Sequence, residues 1–202
     1  MGSITKITRQ TNNRFLNMYD LDNVHKSGKK SHYFMASRAK SDDDLKLVSH
    51  TNKPDGVVIY AVTKEENPRI VLVKQYRYPI DAWIYELPAG LVEDGEDIHE
   101  AGIREMKEET GMTFTPLDAP KGYERPFFTS VGMTDESCST IFGFCTGEPT
   151  SEGEEESEEI EVVLADKAEA ARILREENCC MRAGYMLPRF IADDEPFAFL
   201  HV

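Results

Sequence analysis

With 202 residues, 40% of them hydrophobic and 30% charged, the chain has the length and composition of one globular domain, alone or with a small accessory unit. Its net charge of -14 excludes a nucleic-acid backbone as the main partner, because phosphate contacts of that kind are made by Lys and Arg; a small anionic substrate stays open if metal ions neutralise the site. No apolar run approaches the ~18 residues of a membrane span, no apolar leader opens the chain, and Cys138, Cys145, Cys179 and Cys180 show neither CxxC spacing nor a disulfide framework, so a reduced, cytoplasmic protein with no membrane partner is expected.

Residues 1–50 carry two stretches of mixed apolar and polar residues, 15–21 and 32–35, with Gly28 and its lysines placed as a hairpin turn between them. The pattern predicts a small N-terminal β-strand unit, followed by a main domain over 51–202. Residues 57–62 and 70–73 are β-rich and joined by a polar loop ending in Pro68, which predicts a hairpin. Gln75-Tyr76-Arg77-Tyr78-Pro79 follows. Arg77 is suited to forking onto phosphate or ribose oxygens, or to a surface ion pair, and Tyr76 or Tyr78 to offering a ring face to a base. Trp83, the single tryptophan, is a candidate for stacking on a base or for core packing, and Glu86 for orienting substrate or an arginine.

The stretch 90–112, GLVEDGEDIHEAGIREMKEETGM, is the most informative. Asp97 with Glu100 three residues later resembles a capping box, and Gly111 suits the left-handed turn that ends a helix, so a helix of about thirteen residues is predicted between them. Glu105, Glu108 and Glu109 then stand at i, i+3 and i+4 and share one face. Ile103, Met106 and Thr110 are expected to pack inward. Carboxylates this close repel one another unless a cation sits among them, and Mg²⁺ favours such oxygens while keeping waters and borrowing phosphate oxygens. Arg104, at i,i+4 from Glu100 and Glu108, is placed to hold the acidic face in register. Gly90 and Gly95 let the preceding loop bend and approach a ligand.

Downstream, Gly132-Met133-Thr134-Asp135-Glu136 is a polar loop, and 141–145 reads as a core strand. The run 147–159 is acidic and turn-rich without an apolar face. A strand is predicted over 160–164. A helix capped by Asp166 should run to about Glu177, and a second from Met181 to Ile191 is perturbed by Pro188. The tail 196–200 is apolar enough to dock on the core.

The stretch 90–112 resembles the Nudix box at every fixed position, with Met106 and Met112 in the aliphatic slots. The pairing of Gln75-Tyr76-Arg77-Tyr78-Pro79 with Glu86-Leu87-Pro88-Ala89-Gly90 is similar to the ADP-ribose pyrophosphatase branch of that family. The resemblance implies an α+β fold, an α/β/α sandwich with a mixed sheet, and metal-dependent hydrolysis of a small nucleoside diphosphate substrate. It implies Mg²⁺, or Mn²⁺ in its place, held by Glu105, Glu108, Glu109 and the Ala89 carbonyl. Arg104, Glu105 and Glu109 form the expected catalytic group with Glu136, which the resemblance makes the general base; Asp135 or a glutamate of 147–159 is the alternative. Arg77, Tyr76, Glu86 and Trp83 are the expected substrate contacts. The N-terminal strands are expected to build a homodimer and to reach the partner's pocket.

Overall fold

The computed structural model describes residues 2–150 and 159–201. In chain order the elements are β1 (Ser3–Arg9), β2 (Asn17–Val24), β3 (Lys30–Ser37), α1 (Lys46–Ser49), β4 (Gly56–Thr63), β5 (Ile70–Arg77), β6 (Ala82–Glu86), β7 (Ala89–Leu91) and α2 (Ile98–Thr110). They continue as β8 (Thr113–Pro116), α3 (Lys121–Glu124), β9 (Phe127–Phe128), β10 (Ser137–Thr146), β11 (Ile160–Ala165), α4 (Lys167–Glu176) and α5 (Met181–Ala192).

These elements form two compact units. The first unites residues 1–55 with 126–138, so a segment expected in the main domain is grouped with the N-terminal strands. β1, β2 and β3 make an antiparallel sheet, and Gly28, at φ 84°, occupies the turn between Val24 and Lys30. Alternation buries Tyr19, Leu21 and Met35 with Leu45 on one face, while Asp20, Asp22, His32 and Phe34 take the other. The loop 129–136 is stitched to β3: Ala36 N–H donates to the Met133 carbonyl at 2.9 Å and Tyr33 Oη to the Gly132 carbonyl at 2.7 Å. β9 pairs with Ser137 and Cys138.

The second unit holds the mixed sheet β11-β5-β4-β10-β8, with β6 on β5 and β7 on β4. Every residue of β4 and the first four of β5 are buried, as expected of strands covered on both faces. On one face Val57, Ile59, Val71 and Ile141 pack with Ala101 and Met106 of α2. The intervening residue Tyr60 points to the other face, where its ring meets Phe142, Phe197 and Phe199, and its hydroxyl donates to the Pro196 carbonyl at 3.1 Å. The expected docking of the tail is thus observed. α4, capped by Asp166 through Glu169 N–H, packs on α5, which runs unbroken through Pro188.

Candidate functional site

The helix predicted from spacing is α2, thirteen residues long. Asp97 caps it by accepting from His99 N–H at 2.8 Å, rather than through a box with Glu100, and Gly111 closes it at φ 70°. Its packing side carries Ala101, Gly102, Met106 and Thr110. A Cβ added to Gly102 would lie 1.8 Å from Ile141 Cδ1, so the helix backbone rests directly on the sheet. Ile103, expected inward, is 43% exposed, because the buried stripe is made by 101, 102, 106, 109 and 110 and leaves 103 on its rim.

The three glutamates share the helix face, but to different depths. The Glu105 side chain is 13% exposed and Glu108 50%, while Glu109 is buried. Two contacts tie this face to the first residues of β7. Glu109 Oε2 accepts from Ala89 N–H at 3.1 Å, and the Glu105 carboxylate lies so close over Gly90 that a Cβ there would stand 1.8 Å from its Cδ. Gly90 lies in extended backbone paired with Val57, so the overlying Glu105 carboxylate, and not the expected bend, is what favours glycine there.

Arg104 organises the remaining charge. Nε and Nη2 fork onto Glu96 at 2.9 and 3.0 Å, Nη1 reaches Glu105 Oε1 at 2.8 Å and Glu108 Oε2 at 2.9 Å, and Nη2 also donates to the Leu91 carbonyl at 2.9 Å. A guanidinium has five N–H donors, and these contacts engage all of them. Arg104 thus ties Glu96, Glu105, Glu108 and the Leu91 carbonyl together. The guanidinium beside Glu96 holds that carboxyl below the usual carboxylate range, helped by the Glu93 backbone N–H and opposed by partial burial. The same contacts push Arg104 itself further up. Box spacing singles out Glu96, but its job as the second half of this fork is visible only in the folded chain.

The donor set of this face fits a hard divalent cation. Glu105, Glu108, Glu109 and the Ala89 carbonyl offer oxygens alone, Gly90 keeps the cradle open, and a guanidinium nitrogen already bridges two of the carboxylates. Among the described residues, the group whose ligand atoms all lie within 4.8 Å of one another is a different one, Asp20, Asp22 and His32 on β2 and β3, where His32 Nδ1 is already paired with both aspartates at 3.0 Å.

The expected substrate contacts divide between two faces. Arg77 follows Val71 and Val73 on the α2 face of β5, and Glu86 stands opposite Val73 in register; Arg77 donates to the Glu86 carboxylate at 2.6 and 3.2 Å. Tyr76 and Trp83 pair on the opposite face, their rings edge to face at 5.9 Å, with Tyr78 at 5.2 Å from Tyr76 and Lys74 Nζ 5.2 Å over the indole. The period of two separates neighbours that the motif writes side by side. Glu136 lies in the first unit, where Arg38 Nε donates to it at 2.8 Å and Thr129 Oγ1 at 3.0 Å; Asp135 accepts from Lys46 N–H at 3.2 Å. Of the run 147–159, the other expected source of a base, residues 151–158 lie outside the described residues. Sequence reasoning missed Arg182 of α5, 3.9 Å from Glu86.

The four cysteines are free thiols, and burial pushes Cys145 up to about 12. Among the described residues no helix is long and apolar enough to cross a membrane.

Comparison with known proteins agrees with this geometry. The chain is 40% identical over 90 residues to an ADP-ribose pyrophosphatase of Bacillus subtilis, covering 45% of this chain and 44% of that protein. It is 33% identical over 96 residues to an ADP-ribose pyrophosphatase of Saccharomyces cerevisiae, covering 46% and 42%. The chain spans about half the length of the curated relatives it matches. Its fold is similar to that of a solved ADP compounds hydrolase, with a TM-score of 0.61 at 16% identity over 87% of this chain and 83% of that one. The NUDIX domain model matches residues 52–180, which include α2, Ala89 and Gly90 of β7 and the Arg77–Glu86 pair, and the chain therefore belongs to the Nudix family.

Proposed function

We propose that the protein is a Mg²⁺-dependent hydrolase that cleaves the pyrophosphate of ADP-ribose or a similar nucleoside diphosphate sugar, releasing AMP and a sugar phosphate. The observation that carries this reading is the seating of Glu105 over Gly90 and of Glu109 on Ala89 N–H, which fixes two carboxylates beside the start of β7, where the Ala89 carbonyl would complete the donor set. Glu105, Glu108, Glu109 and the Ala89 carbonyl would hold Mg²⁺, or Mn²⁺ in its place. When bound there, the ion lowers the pKa of water and offsets charge on the phosphate oxygens. Arg77, oriented by Glu86, grips the anionic substrate. Glu136 is our choice of general base, because water at neutral pH needs a carboxylate to take its proton. The relatives named as ADP-ribose pyrophosphatases support the choice of substrate. We also assign the N-terminal strands to a homodimer and the site of action to the cytoplasm.

A panel of nucleoside diphosphate derivatives with Mg²⁺ tests the reading. ADP-ribose should give AMP and ribose 5-phosphate. Turnover of another sugar nucleotide, a dinucleoside polyphosphate or an oxidised nucleotide in its place would move the substrate while keeping the chemistry. Absence of turnover across the panel, with ligand binding intact, would favour a silent ADP-ribose-binding module, which the complete set of box glutamates argues against.

A further inference from the structure

On the sheet face that carries Tyr60, away from α2, the second unit holds a cavity of about 370 Å³. Its walls are the 117–120 segment that follows β8, the side chain of Phe144, and tail residues between 195 and 200. Both walls are fixed by the chain's own bonds. Leu117 N–H donates to the Phe142 carbonyl at 2.8 Å, and Tyr123 N–H to the Pro120 carbonyl at 2.8 Å. The tail is held by the Tyr60 hydroxyl on the Pro196 carbonyl and by the Phe197 ring, edge to face with Tyr60 at 5.7 Å and with Phe144 at 5.1 Å. Ala198 N–H then donates to the Glu195 carbonyl at 3.1 Å and Leu200 N–H to the Phe197 carbonyl at 3.0 Å. Ala119, Phe197 and Leu200 are buried, so the inner lining is apolar. Protein interiors leave few voids larger than a water molecule, and this one has the volume of a small-ligand pocket.

The chemistry of the lining selects the ligand. Its polar side chains are two carboxylates, Asp118 and Glu195, both exposed and so placed at the mouth, and no basic side chain stands among the described lining residues. The backbone N–H groups of Leu117, Ala198 and Leu200 are already donated, and Pro120 has none. In a chain of net charge -14, an anion finds little here to bind it. An apolar body fits the inside, and a positive head complements the rim. We propose that the cavity is a binding site for a small organic cation, with an ammonium group at Asp118 and Glu195 and an aromatic or alkyl body against Phe144, Phe197 and Leu200. None of these residues belongs to the α2 face, and the site stands or falls apart from the hydrolase reading.

The test titrates the full chain with phenethylammonium, and with phenethyl alcohol and phenylpropionate as neutral and anionic analogues of similar size, by calorimetry and by amide NMR shifts. The ammonium should bind about threefold to tenfold more tightly than the alcohol, as two solvent-exposed charge contacts allow, and the anion should bind least. Its shifts should centre on 117–120, Phe144 and 195–200. Asp118→Asn combined with Glu195→Gln should bring the ammonium down to the affinity of the alcohol and leave the alcohol unchanged. Ala198→Phe, at an exposed lining position, should fill the cavity and abolish binding of both. Thermal midpoints show whether these variants fold, and if Ala198→Phe melts early the carboxylate variant decides the question alone. Equal affinity for ammonium and alcohol, an ammonium affinity unchanged in the carboxylate variant, shifts centred elsewhere on this acidic chain, or no binding of any probe would each overturn the site.

Discussion

Glu109, 7% exposed, accepts a hydrogen bond from the backbone N–H of Ala89 at 3.1 Å. A buried carboxylate is costly unless it is hydrogen-bonded and compensated by charge. The Ala89 N–H supplies the first, and a divalent cation shared with Glu105 and Glu108 would supply the second. The contact also couples the last turn of α2 to the start of β7, so helix and strand are placed together.

Gly90 and Gly102 are predicted to fail in different ways when changed to Ala. At Gly90 the new Cβ would meet the far end of the Glu105 side chain, which can swing away. Gly90→Ala should therefore keep its melting temperature and lose activity by more than tenfold, with the Mg²⁺ needed for half-maximal rate raised. At Gly102 the Cβ would meet Ile141 Cδ1 in the core. Overpacking of this kind costs about 1–3 kcal/mol, offset in part by the roughly 1 kcal/mol helix preference of Ala over Gly. Gly102→Ala should melt lower, and its kcat at a temperature where it is folded should match wild type. Thermal denaturation and Mg²⁺ titration of initial rates check both.

Arg104→Ala should destabilise the metal-free protein at neutral pH, because Glu96, Glu105 and Glu108 lose their shared guanidinium. Added Mg²⁺ should restore part of that stability. The pH dependence has a definite sign. Glu96 has a lowered pKa in the folded chain, so its contribution is complete above the ordinary carboxylate value of about 4 and is lost as pH falls through the lowered value. Wild type should therefore lose melting temperature in that acid range more steeply than Arg104→Ala. Parallel acid profiles would contradict the fork.

Tyr60→Phe removes the hydroxyl that bonds the Pro196 carbonyl. The expected cost is about 1 kcal/mol, since a buried acceptor is left without its donor, with activity unchanged. Burial raises the Tyr60 pKa, so the folded chain keeps a proton that the unfolded chain gives up above about pH 10. Wild type should accordingly lose stability above that pH faster than Tyr60→Phe, as chemical denaturation across the alkaline range would record.

The parts of the fold governed by local pattern were readable before folding. The bounds of α2 follow from Asp97 and Gly111, the β2–β3 turn from Gly28, and the buried strands β4 and β5 from their apolar runs. The i, i+3, i+4 spacing likewise placed Glu105, Glu108 and Glu109 on one face. Relations between distant segments were not readable. The grouping of 126–138 with the N-terminal strands, the engagement of every Arg104 donor, and the arrival of Arg182 at Glu86 depend on pairings that no single stretch encodes. The motif that writes Tyr76 and Arg77 together gives no hint that a strand sends them to opposite faces. Ile103 looked inward because a helical face has no sharp edge in sequence.

The most direct measurement is the hydrolysis of ADP-ribose by wild type and Glu109→Gln, with and without Mg²⁺, with products resolved chromatographically. Gln keeps an oxygen for the Ala89 N–H and loses the charge, so the variant should fold and melt like wild type. Wild type should give AMP and ribose 5-phosphate only when Mg²⁺ is present, and Glu109→Gln should be slower by at least about a hundredfold, in line with loss of a group that stabilises charge in the transition state. Equal rates in the two proteins, or turnover unaffected by removing the metal, would contradict the metal-dependent reading.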